Sequence, residues 1–279
     1  MKFSKVKQML KQLHGLDISM YEAAFLERSL EKRMQATGCD SPEEYCAWLE
    51  HNPAEGKILQ NSLQNHTSQF FRAPLTFAVL EGMFLPELIH KKKKDKRSEI
   101  RIWSAGCAAG QEAYSLAILL EEALGNPHPG LTYRIFATDL DETRLDEARV
   151  GYYTAEALGN LSLKRLQTWF TRQAEGYRIK PALHKNINFS LFDLTQEERV
   201  CPADSIFGDF DLVVCCNVLI YYQPKSRNLM LDKFAHCLAR CGALVTGEAE
   251  RAIALSHHYS EVYPQAAIFR LKRTTRKPA

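Results

Sequence analysis

Apolar positions recur every three to four residues through the first sixty or so positions, the mark of helices with one buried face. Phe3, Val6, Leu10 and Leu13 share such a face, and Gly15 ends the segment. Asp17 or Ser19 can cap the next helix, in which Tyr21, Phe25, Leu26, Leu30 and Met34 keep the period up to Gly38. Ser41-Pro42-Glu43-Glu44 then offers a hydroxyl N-cap, a first-turn proline and a glutamate three residues past the cap. Residues 54–63 make a fourth member. A hinge follows, His66-Thr67-Ser68-Gln69-Phe70-Phe71-Arg72-Ala73-Pro74, and then a helix over 75–90. Lys91-Lys92-Lys93-Lys94-Asp95-Lys96-Arg97 reads as a solvated loop before a strand, with a docking patch for an acidic partner as the sharper alternative.

From residue 100 the period changes. Short apolar runs at 100–103, 133–138, 187–191, 210–215, 243–246 and 267–272 predict strands, and 112–124 and 142–150 predict helices between them. This alternation predicts an α/β fold, a mostly parallel sheet with helices on both faces. Tyr177-Arg178-Ile179-Lys180, set off by Gly176 and Pro181, reads as a piece of small antiparallel ribbon. The expected division is therefore a helical domain with its hinge at 1–72 and an α/β domain at 73–279, carrying a small β insertion at about 170–186.

Composition changes this picture little. The 279 residues are 46% hydrophobic and 25% charged, ordinary for a globular chain with a sizeable core. A net charge of +3 is too small to imply a nucleic-acid partner. No apolar run is long enough to span a bilayer, and no apolar signal core follows Met1, so a cytoplasmic protein without direct membrane insertion is expected. Eight cysteines include no C-x-x-C pair. Cys237 and Cys241, four apart on an expected helix beside His236, lack further ligands at suitable spacing; they read as buried thiols, and no metal is expected.

Two features suggest a ligand. The first strand runs into Ser104-Ala105-Gly106-Cys107-Ala108-Ala109-Gly110, small residues that let a ligand approach the backbone, although a tight packing turn is the plainer reading. The spacing is G-x-x-x-G, which argues against a nicotinamide dehydrogenase. The second strand ends at Asp139, placed to accept hydrogen bonds from ribose hydroxyls, while Asp141 is the better helix cap by position. Together they point to adenosine.

Four segments in order then become specific: Phe70-Phe71-Arg72, Trp103 to Ser115, Ala137-Thr138-Asp139-Leu140-Asp141, and Asn217-Val218-Leu219-Ile220-Tyr221-Tyr222. In them the chain resembles the CheR-type chemotaxis receptor methyltransferases, from about residue 20 onward. The resemblance implies a Rossmann-like, S-adenosylmethionine-dependent methyltransferase with an N-terminal α-helical, receptor-docking domain and a small antiparallel β insertion. It implies that glutamate side chains on the cytoplasmic helices of chemoreceptors are esterified, with S-adenosylhomocysteine released. It further implies cofactor contacts from Ser68, Arg72, Ala105, Gln111, Asp139, Asp193, Leu194 and Asn217, and catalytic roles for Arg72 and Tyr221. Counting forward from Asn65 instead of back from Phe70 would put Thr67 in the place of Ser68.

Three positions depart from the family pattern. Gln111 stands where a glutamate is usual, Cys216 replaces an arginine, and Gly247-Glu248-Ala249-Glu250 keeps only the ends of G-H-S-E. Gln111 and Cys216 favour, as the alternative, a catalytically weak or inactive signalling module that binds the cofactor and docks a chemosensory partner. A nucleic-acid methyltransferase would call for a basic, aromatic-lined groove. The excess of lysine and arginine in residues 1–35 is nearly cancelled by acidic positions between Asp40 and Glu55. The ribbon near Gly176 lacks the glycine-rich loop of members that bind a receptor's C-terminal peptide, so no such tether is expected.

Overall fold

The computed structural model describes residues 3–63, 68–95, 98–125, 130–205 and 208–272. The chain divides into two units, Met1–His66 with Ile220–Arg227, and the remainder.

The first unit is helical: α1 (Ser4–His14), α2 (Ala23–Thr37), α3 (Pro42–His51) and α4 (Glu55–Leu63). Phe3, Val6, Leu10, Leu26, Leu30, Tyr45, Leu49 and Leu59 form its core. Gly15 and Gly38 end α1 and α2 in the left-handed conformation, as their positions predict. Leu13, expected on the buried face of α1, is exposed because the helix ends one residue later and Met9 takes the inner position. Neither Asp17 nor Ser19 caps α2. Asp17 accepts the Ser19 amide and the Lys11 ammonium in its own turn, and Glu22 is the cap, accepting from the Phe25 amide at 3.1 Å. Tyr21, just outside the helix, forms a β-bridge to Tyr222. Ser41 caps α3 as expected, but Glu44 reaches back to the Asp40 amide, one residue beyond the cap.

Glu55 is the buried polar centre of this unit. It takes both guanidinium nitrogens of Arg33, at 2.9 and 2.8 Å, and the Tyr45 hydroxyl at 2.7 Å. Removing the carboxylate strands a largely buried arginine. Glu55→Ala is expected to cost about 3–5 kcal/mol, read as an early loss of helical circular dichroism in urea.

The second unit carries a seven-stranded sheet in the order β6-β2-β1-β7-β8-β10-β9. Its strands are β1 (Glu99–Ala105), β2 (Thr132–Asp139), β6 (Ile187–Leu191), β7 (Phe210–Cys215), β8 (Leu238–Thr246), β9 (Tyr259–Tyr263) and β10 (Ile268–Leu271). The strands from β6 to β8 pair in parallel, and β10 runs antiparallel between β8 and β9. A second, three-stranded antiparallel sheet joins β3 (Tyr152–Thr154), β4 (Phe170–Gln173) and β5 (Gly176–Ile179). Its outer strand β3 lies upstream of the ribbon read from sequence.

Helices α5 (Pro74–Val79), α6 (Leu85–Lys94), α7 (Gln111–Leu124), α8 (Glu142–Val150), α9 (Leu163–Trp169), α10 (Pro181–His184), α11 (Pro224–Cys237) and α12 (Arg251–Leu255) complete the chain. The lysine run is not a loop, since Lys91 to Lys94 finish α6. Lys92 turns inward, 2.6 Å from Asp211 and donating to the Glu99 carbonyl, which ties α6 to β1 and β7. A single inward lysine among four is invisible to composition. Cys237 and Cys241 do not share a helix either, because α11 ends at Cys237 and Cys241 lies exposed on β8. Trp103 fills the sheet's centre, its indole donating to Thr138 at 2.9 Å and its ring packed by Phe192, Phe210 and Phe234.

Candidate active site

The carboxyl ends of β1, β2, β6, β7 and β8 meet in one place, where open α/β sheets bind ligands. Here the loop after β1 is wound tightly. Gly106 has φ +80°, and the Gly106 and Cys107 amides both donate to the Thr138 carbonyl, at 2.8 and 2.9 Å. A Cβ on Gly106 would lie 2.6 Å from a Val218 methyl, so only glycine suits both the torsion and the space. Ala105, the last residue of β1, is fully buried beneath this turn.

Asp139 closes the loop from the neighbouring strand. Its carboxylate accepts the Ala108 amide at 2.8 Å and the Asp141 amide at 3.0 Å. Burial raises its pKa, and those two amides oppose the shift. A carboxylate has about four acceptor directions, so a ribose hydroxyl can still be received by this half-buried group. Asp141 caps α8 through the Thr143 amide, as its position predicts. The Asp139 carbonyl takes the Phe192 amide, which brings Asp193 and Leu194 alongside. Asp193 spends one oxygen on the Thr195 amide and hydroxyl, at 2.8 and 2.6 Å, and Leu194 is buried.

An acidic pair, half-buried Glu112 and fully buried Glu250, lies at the tips of β1, β7 and β8. Glu112, second residue of α7, accepts the Ser104 hydroxyl at 2.7 Å and the Cys216 thiol. Its pKa is pushed up to about 7, first by burial and then by the Glu250 charge, while Ser104, Cys216 and the positive charge of Arg72 pull it down. Glu250 is fully buried and receives the amides of Asn217 and Gly247, at 2.9 and 2.7 Å. Those bonds hold Asn217 at φ +61°, a left-handed conformation that asparagine tolerates. Sequence reasoning passed over Glu112 and Glu250. The available signal was Glu112 itself, a carboxylate one residue ahead of a run in which Ala113 to Leu120 are all buried.

Gln111, the first residue of α7, is buried, and its amide oxygen has no hydrogen-bond partner among the described residues. Ser68 is half-buried, and Thr67 lies outside the described residues. Phe71, at φ +50°, donates its amide to Ser115 at 3.1 Å and leads into the exposed Arg72. Seven of the expected residues, Arg72, Ala105, Gln111, Asp139, Asp193, Leu194 and Asn217, thus sit on the loops and strand tips of this edge. Tyr221 belongs to the helical unit, where its ring lies 4.8 Å from Phe25 and its carbonyl accepts the Glu22 amide at 2.8 Å.

This donor and acceptor set fits a zwitterionic nucleoside. A ribose needs acceptors, which Asp139 supplies, and an ammonium needs a carboxylate at least partly shielded from water. Glu112 supplies that, with neutral hydroxyl and thiol partners and an unpartnered amide oxygen on the preceding residue.

Two family models match the chain. Residues 65–267 match "CheR methyltransferase, SAM binding domain", and residues 1–63 match "CheR methyltransferase, all-alpha domain". A chemotaxis protein methyltransferase of Listeria monocytogenes is 31% identical over 253 residues, 88% of each chain. That of Salmonella typhimurium is 31% identical over 264 residues, 92% of this chain and 86% of its own. The Escherichia coli protein of the same description is 29% identical over 264 residues, covering 92% and 87%.

Proposed function

Because this chain belongs to the CheR methyltransferase family, with an S-adenosylmethionine-binding domain, we propose that it esterifies glutamate side chains of chemoreceptors in the cytoplasm. The products are glutamate methyl esters and S-adenosylhomocysteine. The observation that carries this reading is Glu112, a half-buried carboxylate that accepts the Ser104 hydroxyl, on the same sheet edge as a ribose-competent Asp139. That pairing suits a nucleoside bearing an amino acid and has no purpose in an empty turn.

Bound S-adenosylmethionine supplies an electrophilic methyl on a sulfonium. Asp139 holds the ribose, Asp193 and Leu194 flank the adenine, and Ala105 admits the amino-acid end against the loop. Glu112 receives the ammonium. Gln111, Asn217 and Ser68 complete the cofactor set. A glutamate substrate is already ionised at neutral pH, so the chain needs no general base. Its work is alignment and exclusion of water. Arg72 grips the substrate carboxylate, and Tyr221 is the second catalytic candidate that the family resemblance implies.

The test is tritiated methyl transfer from S-adenosylmethionine into membranes holding the cognate receptor, with label released by base as an ester requires. Tight cofactor binding without such label would select the weak signalling module instead.

A peptide tether is not part of this reading. The β4–β5 turn is short, passing through Ala174 and Glu175 alone between Gln173 and Gly176. Among the described residues, no helix is long and apolar enough to cross a membrane. Trimming the receptor's C-terminal peptide is expected to change the methylation rate by less than about twofold, since no second binding site raises the local concentration.

A further inference from the structure

A cluster of ligating side chains lies away from the strand tips. Asp232 on α11 and the adjacent His257 and His258, in the turn between α12 and β9, each present one donor atom, and all three atoms lie within 4.8 Å of one another. The His257 Nε2 is 3.2 Å from an Asp232 carboxylate oxygen. We propose that these three residues bind one divalent transition-metal ion of the zinc or cobalt class, a site distinct from the methyl-transfer chemistry.

The turn is built to hold the backbone of its two histidines in place. Tyr259, fully buried, donates its hydroxyl to the Leu231 carbonyl at 2.9 Å, which ties the residue after His258 to the residue before Asp232. From the other side, the Lys272 amide donates to the His258 carbonyl at 2.8 Å and the Lys272 ammonium to the His257 carbonyl at 3.2 Å. The two rings meet edge to face, with centroids 4.6 Å apart. His257 is half-buried, while His258 and Asp232 are exposed and can rotate. Metal–nitrogen and metal–oxygen bonds of about 2.0–2.2 Å draw tetrahedral ligand atoms to within about 3.5 Å of each other. Small rotations of the two exposed groups supply that closure.

Two imidazoles and a carboxylate are borderline ligands that favour zinc, cobalt or nickel over magnesium or calcium. A fourth position is left to water. The bond from the His236 Nδ1 to the Asp232 carbonyl, 2.7 Å, engages the backbone of the same turn and leaves the Asp232 carboxylate to the cluster. A three-donor set on two elements, with its histidine backbone fixed, asks more of the chain than a lone histidine–aspartate pair would. Such a pair needs neither His258 nor its fixed backbone.

The test uses the full chain without an affinity tag, stripped by chelator and titrated with Co²⁺ under calorimetry and visible spectroscopy. One ion per chain is expected, with a d–d spectrum of tetrahedral or five-coordinate type and no thiolate charge-transfer band. His257→Ala with His258→Ala should abolish the site. Asp232→Asn should weaken it at least about tenfold, the scale on which even outer-shell partners act. S-adenosylmethionine binding, measured in parallel, should be unchanged in these variants and so report their folding. Absence of stoichiometric binding by the folded wild type would overturn the proposal. So would binding that survives the double histidine change, or a thiolate band placing the ion on the free cysteines.

Discussion

Glu112→Gln is expected to weaken S-adenosylmethionine binding about ten- to a hundredfold while making the unliganded protein harder to unfold at alkaline pH. Both effects have one cause. Burial raises the Glu112 pKa from an ordinary 4.5 to about 7. The folded state therefore binds more protons than the unfolded state between those values, and stability falls as pH rises through the window. The cost is complete above about pH 8 and amounts to about 3 kcal/mol at most. Glutamine keeps the shape and an acceptor for Ser104 but never ionises, so the variant should gain stability at pH 8 and nearly match wild type at pH 5. The affinity loss follows because a charge-assisted contact to an ammonium becomes a neutral one. Calorimetric binding and urea unfolding at both pH values check the pair of outcomes. A stabilised variant that binds the cofactor as well as wild type would remove Glu112 from the site.

Arg72→Ala is expected to lower the methyl-transfer rate constant about a hundredfold or more, the scale on which one misaligned contact or one lost preorganised donor acts. Arg72 follows Phe71, whose left-handed backbone is fixed by the bond to Ser115, so the guanidinium is launched from a rigid point. Arg165 covers the same phenyl ring at 4.6 Å and stiffens it further. Lysine at this position should recover little, because a single ammonium cannot reproduce a bidentate grip on a carboxylate. Single-turnover methylation with saturating cofactor separates the readouts. A fall confined to KM would mean that Arg72 only recruits receptor, and no change would discard its role.

The parts of this molecule legible in the sequence are those whose signals are local. Period-3.6 faces marked α1 and α2, the Ser41-Pro42-Glu43-Glu44 cap marked the start of α3, and the tight turns at Gly15 and Gly38 marked the ends of the first two. Apolar runs marked β1, β2, β6 and β7, and of the two aspartates at the end of β2 it is Asp141 that caps the next helix, as its position suggested. What could not be read depended on distant partners. Lys92 looked like its neighbours until Asp211, from a strand over a hundred residues later, gave it somewhere to go. Glu22 became a cap because Tyr21 pairs with Tyr222. Strand β9, Tyr259–Tyr263, alternates weakly and is defined by its pairing with β10. Glu112 escaped notice for the same reason. Its meaning comes from Ser104, Cys216 and Glu250, which three different strand ends bring together.

The proton count on binding S-adenosylmethionine, from calorimetry in buffers of different ionisation enthalpy, examines the pocket most directly. At pH 6 Glu112 is about nine-tenths protonated before binding and must ionise to meet the ammonium, so close to one proton should leave. At pH 8 the carboxylate is already charged, and the free cofactor's amino group, with an ordinary pKa near 7.8, is only about half protonated. The sign should then reverse to an uptake of about half a proton. Binding with no proton release at pH 6 would contradict the assignment of a half-buried carboxylate to the cofactor's ammonium.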